Sequence, residues 1–199
     1  MNEKFFDLKK EKQDRMINAA LKIFAQNGYR HSSTDDIVKE AGISKGLLFH
    51  YFTSKMGLYE FLYDYCVRFL TLELKSSVGE SEKDYFKIML AEEQAKRNVL
   101  KSYPYMQAFI DKSQSEDDED ALDATQESRA SLQNMYDGFL GQVDSSAFKR
   151  EVDPASVHTL LQFTLQGIMR EQLQTVSFNA DNYFADGKKY IDMLSKICY

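Results

Sequence analysis

The sequence predicts an all-α protein, and three observations carry that expectation. Residues with good helix propensity, above all Leu, Lys, Glu, Gln and Ala, dominate the chain. Only two prolines and nine glycines interrupt its 199 residues. Apolar residues recur at helical spacing, and no run alternates apolar and polar in the manner of a strand. About nine helices are expected: an N-terminal three-helix domain, joined by a long helix to a larger helical domain.

The elements follow in order. Over residues 8–27 the positions Ile17, Ala20, Leu21 and Phe24 share one helical face, and Gly28 stands where a left-handed C′ residue would end the helix. Ser33 precedes a second segment with Asp36 three residues on, an approximate capping box, and Ile37, Val38 and Ala41 would face the core. Gly42 follows at once, and Ser44 opens a short helix ending at Tyr51 or Phe52. Two helices joined by a turn of about three residues containing a glycine form a helix-turn-helix. Thr53 and Ser54 can cap a long helix reaching about Ser77, with Leu58, Phe61, Leu62, Tyr65, Phe69 and Leu72 on and around one face. Beyond Gly79, helices are expected over residues 82–100, from the Tyr103-Pro104 break to about 112, and over 121–143, 154–175 and 182–197. An acidic loop at 113–120 is expected to be solvated. The domain boundary is placed at residue 55, giving domains 1–55 and 56–199.

Composition narrows the function. With 43% hydrophobic and 28% charged residues the chain reads as a globular protein. No run approaches the roughly 18 apolar residues of a membrane span. The N-terminal MNEKFFDLKK lacks the apolar core of a signal peptide, so a cytoplasmic location and no membrane partner are expected. Cys66 and Cys198 form neither a disulfide framework nor a zinc knuckle. No P-loop, G-x-G-x-x-G, H-E-x-x-H or Ser/His/Asp order is present, and the expectation is a protein that is not an enzyme and uses no metal or cofactor. The net charge of -6 conceals a segregation: residues 1–58 carry 10 Lys/Arg against 7 Asp/Glu, leaving the rest of the chain strongly acidic. A basic end on an acidic body suits a nucleic-acid contact at that end.

The stretch Gly42-Ile43-Ser44-Lys45-Gly46-Leu47-Leu48-Phe49-His50-Tyr51-Phe52-Thr53-Ser54-Lys55 closely resembles the signature of the TetR family of transcriptional repressors, as do Phe24, Gly28, Tyr29, Ser33, Thr34 and Ile37 upstream. The resemblance covers about residues 10–58 and implies binding of double-stranded operator DNA. The residues read the same way physically. On a helix from Ser44 to Phe52, Leu48 and Phe52 pack inward, leaving Lys45, Phe49 and His50 outside. Lys45 can reach guanine O6 and N7 or a phosphate, Gly46 lets the backbone approach closely, and Leu47 can touch a thymine methyl. His50 and Tyr51 offer donors to phosphates. Leu47 and Phe49 either do this or serve as core. Ser33 and Thr34 either cap the second helix, bind phosphate, or both, and Lys55 at a helix start would attract a phosphate. Family members commonly have a polar residue at Leu47 and Tyr at Phe49. Losing both hydroxyls shifts polar contacts toward Lys45, His50, Tyr51, Lys55 and the arm Lys9-Lys10-Lys12-Arg15.

The resemblance also implies an effector-binding and dimerisation domain. Leu160, Leu161, Phe163, Thr164, Gly167 and Ile168, with Tyr183, Phe184, Tyr190, Ile191, Leu194 and Ile197, lie on two late amphipathic segments that either pair with their symmetry mates as a homodimer or close the monomer core. For an unidentified small-molecule effector, Phe86, Met89, Tyr103, Met106, Phe109, Tyr136, Phe139 and Phe163 are the candidate lining, or ordinary core. His158, alone on a mostly apolar helix, is expected to be structural. The function expected is a homodimeric repressor released from its operator by an effector. The alternative is a helical adaptor or small-molecule binding protein whose helix-turn-helix contacts a protein.

Overall fold

In a computed structural model describing residues 3–175 and 177–199, the helices are α1 (Lys10–His31), α2 (Thr34–Ala41), α3 (Lys45–Phe52), α4 (Lys55–Ser77), α5 (Tyr85–Ser102), α6 (Met106–Gln114), α7 (Glu119–Gly141), α8 (Pro154–Leu173) and α9 (Ala180–Cys198). Short 3-10 turns occupy Glu3–Asp7 and Ser145–Ala147. Among the described residues there is no strand. No helix among them is long and apolar enough to cross a membrane.

The helix ends show why these segments fold as they do. Ser33, Ser44, Asp153 and Asn179 each accept a backbone N–H of the helix that follows, and Pro154 fills the first position of α8, where its missing N–H costs nothing. Gly28 has φ 70° and ψ 179° and kinks the chain within α1, so the expected glycine break is present, though not in the left-handed helical conformation. Gly42, at φ 62° and ψ 43°, is the left-handed cap of α2. α5 begins at Tyr85, three residues later than the periodicity predicts. Asp84 accepts the Lys87 N–H as its cap, while Glu82 folds back onto the Lys83 and Asp84 amides. α7 begins earlier than predicted, at Glu119, because Asp118 caps it through the Ala121 N–H. The end of the acidic run thus becomes a first helical turn, where the macrodipole favours it.

The chain divides into two compact units, one from the N-terminus to Phe69 with Ser102–Leu132, the other Leu70–Lys101 with Gln133–Tyr199. α4 and α7 each contribute to both. In the first unit α1 packs on α2 and α6 around Ile17, Ala20, Leu21, Phe24, Ile37, Leu48, Phe52, Leu58, Tyr59, Leu62, Met106 and Phe109, all essentially inaccessible. Phe5, from the N-terminal turn, completes this core against the rings of Tyr51, Phe52 and Phe61 at 5.0–5.7 Å.

In the second unit Val78, Tyr85, Phe86, Ile88, Met89, Phe148, Leu161, Leu165, Ile191 and Leu194 form the main cluster. α8 and α9 pair closely at Gly187, where a Cβ would stand 2.9 Å from Leu165 Cδ2. Both cysteines are free and buried. His158 Nδ1 shares a hydrogen bond with the Tyr85 hydroxyl at 3.1 Å, in keeping with a structural role.

Candidate nucleic-acid interface

α2, the Gly42 turn and α3 build a compact helix-turn-helix. Leu48 and Phe52 are 1% exposed and hold α3 on the core, while Ser44, Lys45, Gly46 and His50 are exposed and Leu47 and Phe49 half-buried. Lys45 ends in an ion pair with Asp35 of α2 at 2.8 Å, which ties the start of the third helix to the start of the second. Asp35 is a residue that sequence reasoning missed. Its position beside Thr34 carried no local signal, because the partner lies ten residues away across the turn.

Two of the expected contact residues have partners within the protein. Tyr51, expected to offer its hydroxyl at the DNA face, is only 7% exposed, with its ring edge-on to Phe5 at 5.7 Å. Its first role is therefore packing, and the exposed aromatic of this turn is His50, whose ring lies 4.9 Å from that of Tyr51. Lys55, expected to await a phosphate, already has partners. Its Nζ donates to the carbonyls of Tyr29 at 2.9 Å, Ser32 at 3.3 Å and Arg30 at 3.5 Å, and stands 4.2 Å from the centre of the Tyr29 ring. Those carbonyls belong to the segment where α1 ends, so the cation secures the α1–α2 junction to the start of α4. Ser54 caps α4 through the Gly57 N–H at 2.9 Å. Gly57 is required there, since a Cβ would meet the Phe52 carbonyl oxygen at 2.4 Å. Thr53, at φ 59°, is the single described non-glycine residue with positive φ, so the α3–α4 turn is tight and strained.

The acidic segment joins the same junction. Glu116 Oε2 accepts the Tyr29 N–H at 2.7 Å, and Glu116 Oε1 caps the Asp117 and Asp118 amides. Burial chiefly, then Asp118, Asp120 and Glu116, raise the Tyr29 hydroxyl above its ordinary pKa. The run is not simply a solvated loop. One carboxylate of it holds the backbone just after the Gly28 kink, where a Cβ would also press Glu116 and Lys112 at 3.3 Å.

Within the basic arm, Lys10 is engaged by Asp14 at 2.6 Å and by the Tyr103 hydroxyl at 2.8 Å. Burial, followed by the bonds to Tyr65 and Asp14, keeps the Tyr103 phenol protonated far above neutral pH. Lys9 and Arg15 are exposed, and Lys12 is half-buried.

The expected effector residues divide between the two units. Tyr103, Met106 and Phe109 lie in the first unit, where Phe109 stacks edge-on with Tyr59 and Tyr63 and tilts toward Phe24. Phe86 and Met89 are core of the second unit, with Phe139 packed against that core and Tyr136 half-buried. Phe163 is 68% exposed on α8, on the outside of its own unit, and so lines no interior there. The late helices resolve into two faces. Leu161, Tyr183, Ile191 and Leu194 are core, whereas Leu160, Phe163, Tyr190 and Ile197, together with Met193, stand exposed.

The geometry defines a helix-turn-helix in the first unit and a helical second unit. Residues 16–62 match the model for bacterial regulatory proteins of the tetR family, so this segment is similar to that family's N-terminal domain. Relatives by sequence are similar over the same region. The uncharacterized regulator YuxN of Bacillus subtilis is 51% identical over 49 residues, 25% of this chain and 17% of YuxN. IcaR of Staphylococcus aureus, a negative regulator of the icaADBC biofilm operon, is 38% identical over 48 residues, 24% of this chain and 26% of IcaR. The chain thus matches about a quarter or less of those relatives' lengths. The likeness in fold runs further. The TetR-family regulator PfmR of Thermus thermophilus superposes with TM-score 0.62 at 19% identity, covering 92% of this chain and 97% of PfmR. FadR of Bacillus subtilis, solved with stearoyl-CoA, superposes with TM-score 0.54 at 18% identity over 93% of this chain and 98% of FadR.

Proposed function

We propose that the chain is a homodimeric transcriptional repressor that holds operator DNA through α3 and is released by a small-molecule effector. The observation that carries the DNA contact is the split character of α3, with Leu48 and Phe52 buried while Ser44, Lys45, Gly46 and His50 are exposed. Lys45 and His50 carry the polar contacts, Gly46 the close backbone approach, and Leu47 and Phe49 the apolar ones. Ser33 and Thr34 present the N-terminus of α2 to phosphate. Tyr51 and Lys55 act as positioning residues, one packing α3 and the other fixing the α1–α2 junction.

Dimerisation uses the exposed face of α8 and α9. Leu160, Phe163 and Gly167 repeat at i, i+3, i+7 on α8, and Tyr190, Met193 and Ile197 do so on α9, an apolar surface suited to an isologous four-helix contact. Nothing stands within 4 Å of a Cβ at Gly167, which leaves room for a facing helix. Two recognition helices then enter successive major grooves about 34 to 36 Å apart. The named action of IcaR as a negative regulator supports repression, and the stearoyl-CoA complex of FadR supports a small-molecule effector.

Selection of bound fragments from random DNA tests this reading. The expected product is a palindrome whose half-sites are one helical turn apart. Recovery of no enriched sequence at low salt would refute DNA binding, and an unpaired half-site would refute the dimer.

A further inference from the structure

The second unit buries three charged residues within one helical turn. Glu92, Glu93 and Lys96 of α5 are 2%, 1% and 6% exposed. Glu93 and Lys96 satisfy one another: Lys96 Nζ donates to Glu93 Oε1 at 2.7 Å, and the Tyr183 hydroxyl donates to Glu93 Oε2 at 2.6 Å. Tyr136 and Tyr183 lie close enough to support the ammonium electrostatically.

Glu92 has no such arrangement. Its Oε1 is sealed from solvent and, among the described residues, meets no hydrogen-bond donor. Two nearby donors point elsewhere, the Tyr85 hydroxyl pairing with His158 and the Lys96 ammonium with Glu93. With both carboxylates ionised the trio holds one positive charge against two negative ones. A buried carboxylate without a donor is among the most costly groups a core can hold, and an apolar side chain of similar volume would avoid the cost. Burial, the largest influence, pushes the Glu92 carboxyl up to about 7.

We propose that Glu92 is the recognition carboxylate for a guest made of an apolar body and a single protonated amine, bound in the second unit beside the Glu93–Lys96 pair. The charge deficit selects the amine: one ammonium donates to Glu92 and brings the trio to neutrality, an alcohol donates without neutralising, and a carboxylate adds repulsion. The apolar body follows from the surroundings. Ile88 and Met89 precede Glu92 by a turn on the same helix and join Tyr85, Leu161 and Leu165 in the core cluster. This inference rests on the reading of the chain as an effector-controlled regulator and names the chemical class of its effector.

The test uses the full chain at pH 8 with octylamine, octanol and octanoate as probes, read by calorimetry and thermal unfolding. Octylamine is expected to raise the melting temperature and to bind at least tenfold more tightly than octanol, with octanoate giving no stabilisation. Glu92→Gln keeps the shape and should abolish the preference for the amine, while Glu60→Gln on the exposed surface should leave it intact. Should Glu92→Gln fail to fold, calorimetry of the parent at pH 6 in buffers of different ionisation enthalpy gives the second measurement, in which amine binding releases a fraction of a proton. Equal binding of amine and alcohol, no binding of the amine, an unaltered Glu92→Gln variant, or no proton release overturns the proposal. Retention of selected DNA by the parent without any amine is measured separately. If DNA is held and the amine is not, the effector class alone is wrong, whereas failure to hold DNA refutes the regulator reading itself.

Discussion

Replacing Lys55 by Met keeps an unbranched apolar stem and removes three donors and a charge. The ammonium bonds the carbonyls of Tyr29, Ser32 and Arg30 and stands over the Tyr29 ring. Hydrogen bonds to charged groups contribute roughly 1.5–3 kcal/mol, and a partly exposed cation–π contact about 0.5–1 kcal/mol. The 3.3 and 3.5 Å contacts are long and the residue is half-buried, so only the 2.9 Å bond counts near full value. A loss of about 2–3 kcal/mol is expected, lowering the melting temperature by roughly 4–12 °C for a chain of this size. Urea unfolding measures the loss, and operator titration at several salt concentrations separates a clamp from a phosphate contact. A clamp weakens DNA binding at every salt concentration with an unchanged slope of log K against log salt, whereas losing one phosphate contact lowers that slope by about 0.9. Unaltered stability with a slope reduced by about one would refute the clamp.

Three further outcomes follow from the same structure. Asp35→Ala frees Lys45 and removes a negative charge from the exposed start of α2; because both partners are at least half exposed, the fold should lose well under about 1 kcal/mol. Binding to mixed-sequence DNA should tighten, and weaker binding would show that Asp35 itself contacts the operator. Phe163→Glu, on a side chain 68% exposed, should leave the helical signal unchanged and convert the dimer to monomers by light scattering; a stable dimer would move the interface elsewhere. Glu92 makes stability depend on pH. Its folded carboxyl titrates at about 7, above the ordinary carboxylate value of the unfolded chain, so the native state binds the extra proton and stability falls as pH rises from about 4.5 to 7. The facing groups are Glu93 and Lys96, paired at 2.7 Å, with Tyr85 and His158 engaged in their own hydrogen bond. Glu92→Gln should flatten this decline, which amounts to about 3 kcal/mol. An equally steep decline in the variant would assign it to other groups.

What could be read from residue order is what neighbours along the chain decide. Helix periodicity, the caps at Ser33, Ser44 and Ser54, and the breaks at Gly28 and Gly42 rest on bonds spanning four residues or fewer, so the helix-turn-helix and its inward Leu48 and Phe52 were legible. Helix starts slipped where an acidic side chain chose between capping and joining the helix, as at Asp84 and Asp118. Function depends on partners far along the chain, which residue type alone leaves open. A lysine at a helix start suits a phosphate equally well whether or not three carbonyls from residues 29–32 reach it first. An aromatic at helical spacing reads as lining, core or interface alike, and tertiary packing placed Phe109 against Phe24, Phe163 in solvent and Tyr51 beneath Phe5. The same holds for α5, where Glu92 and Glu93 are adjacent and chemically alike. Tyr183, ninety residues on, joins Lys96 in satisfying Glu93, while Glu92 Oε1 is left without a donor.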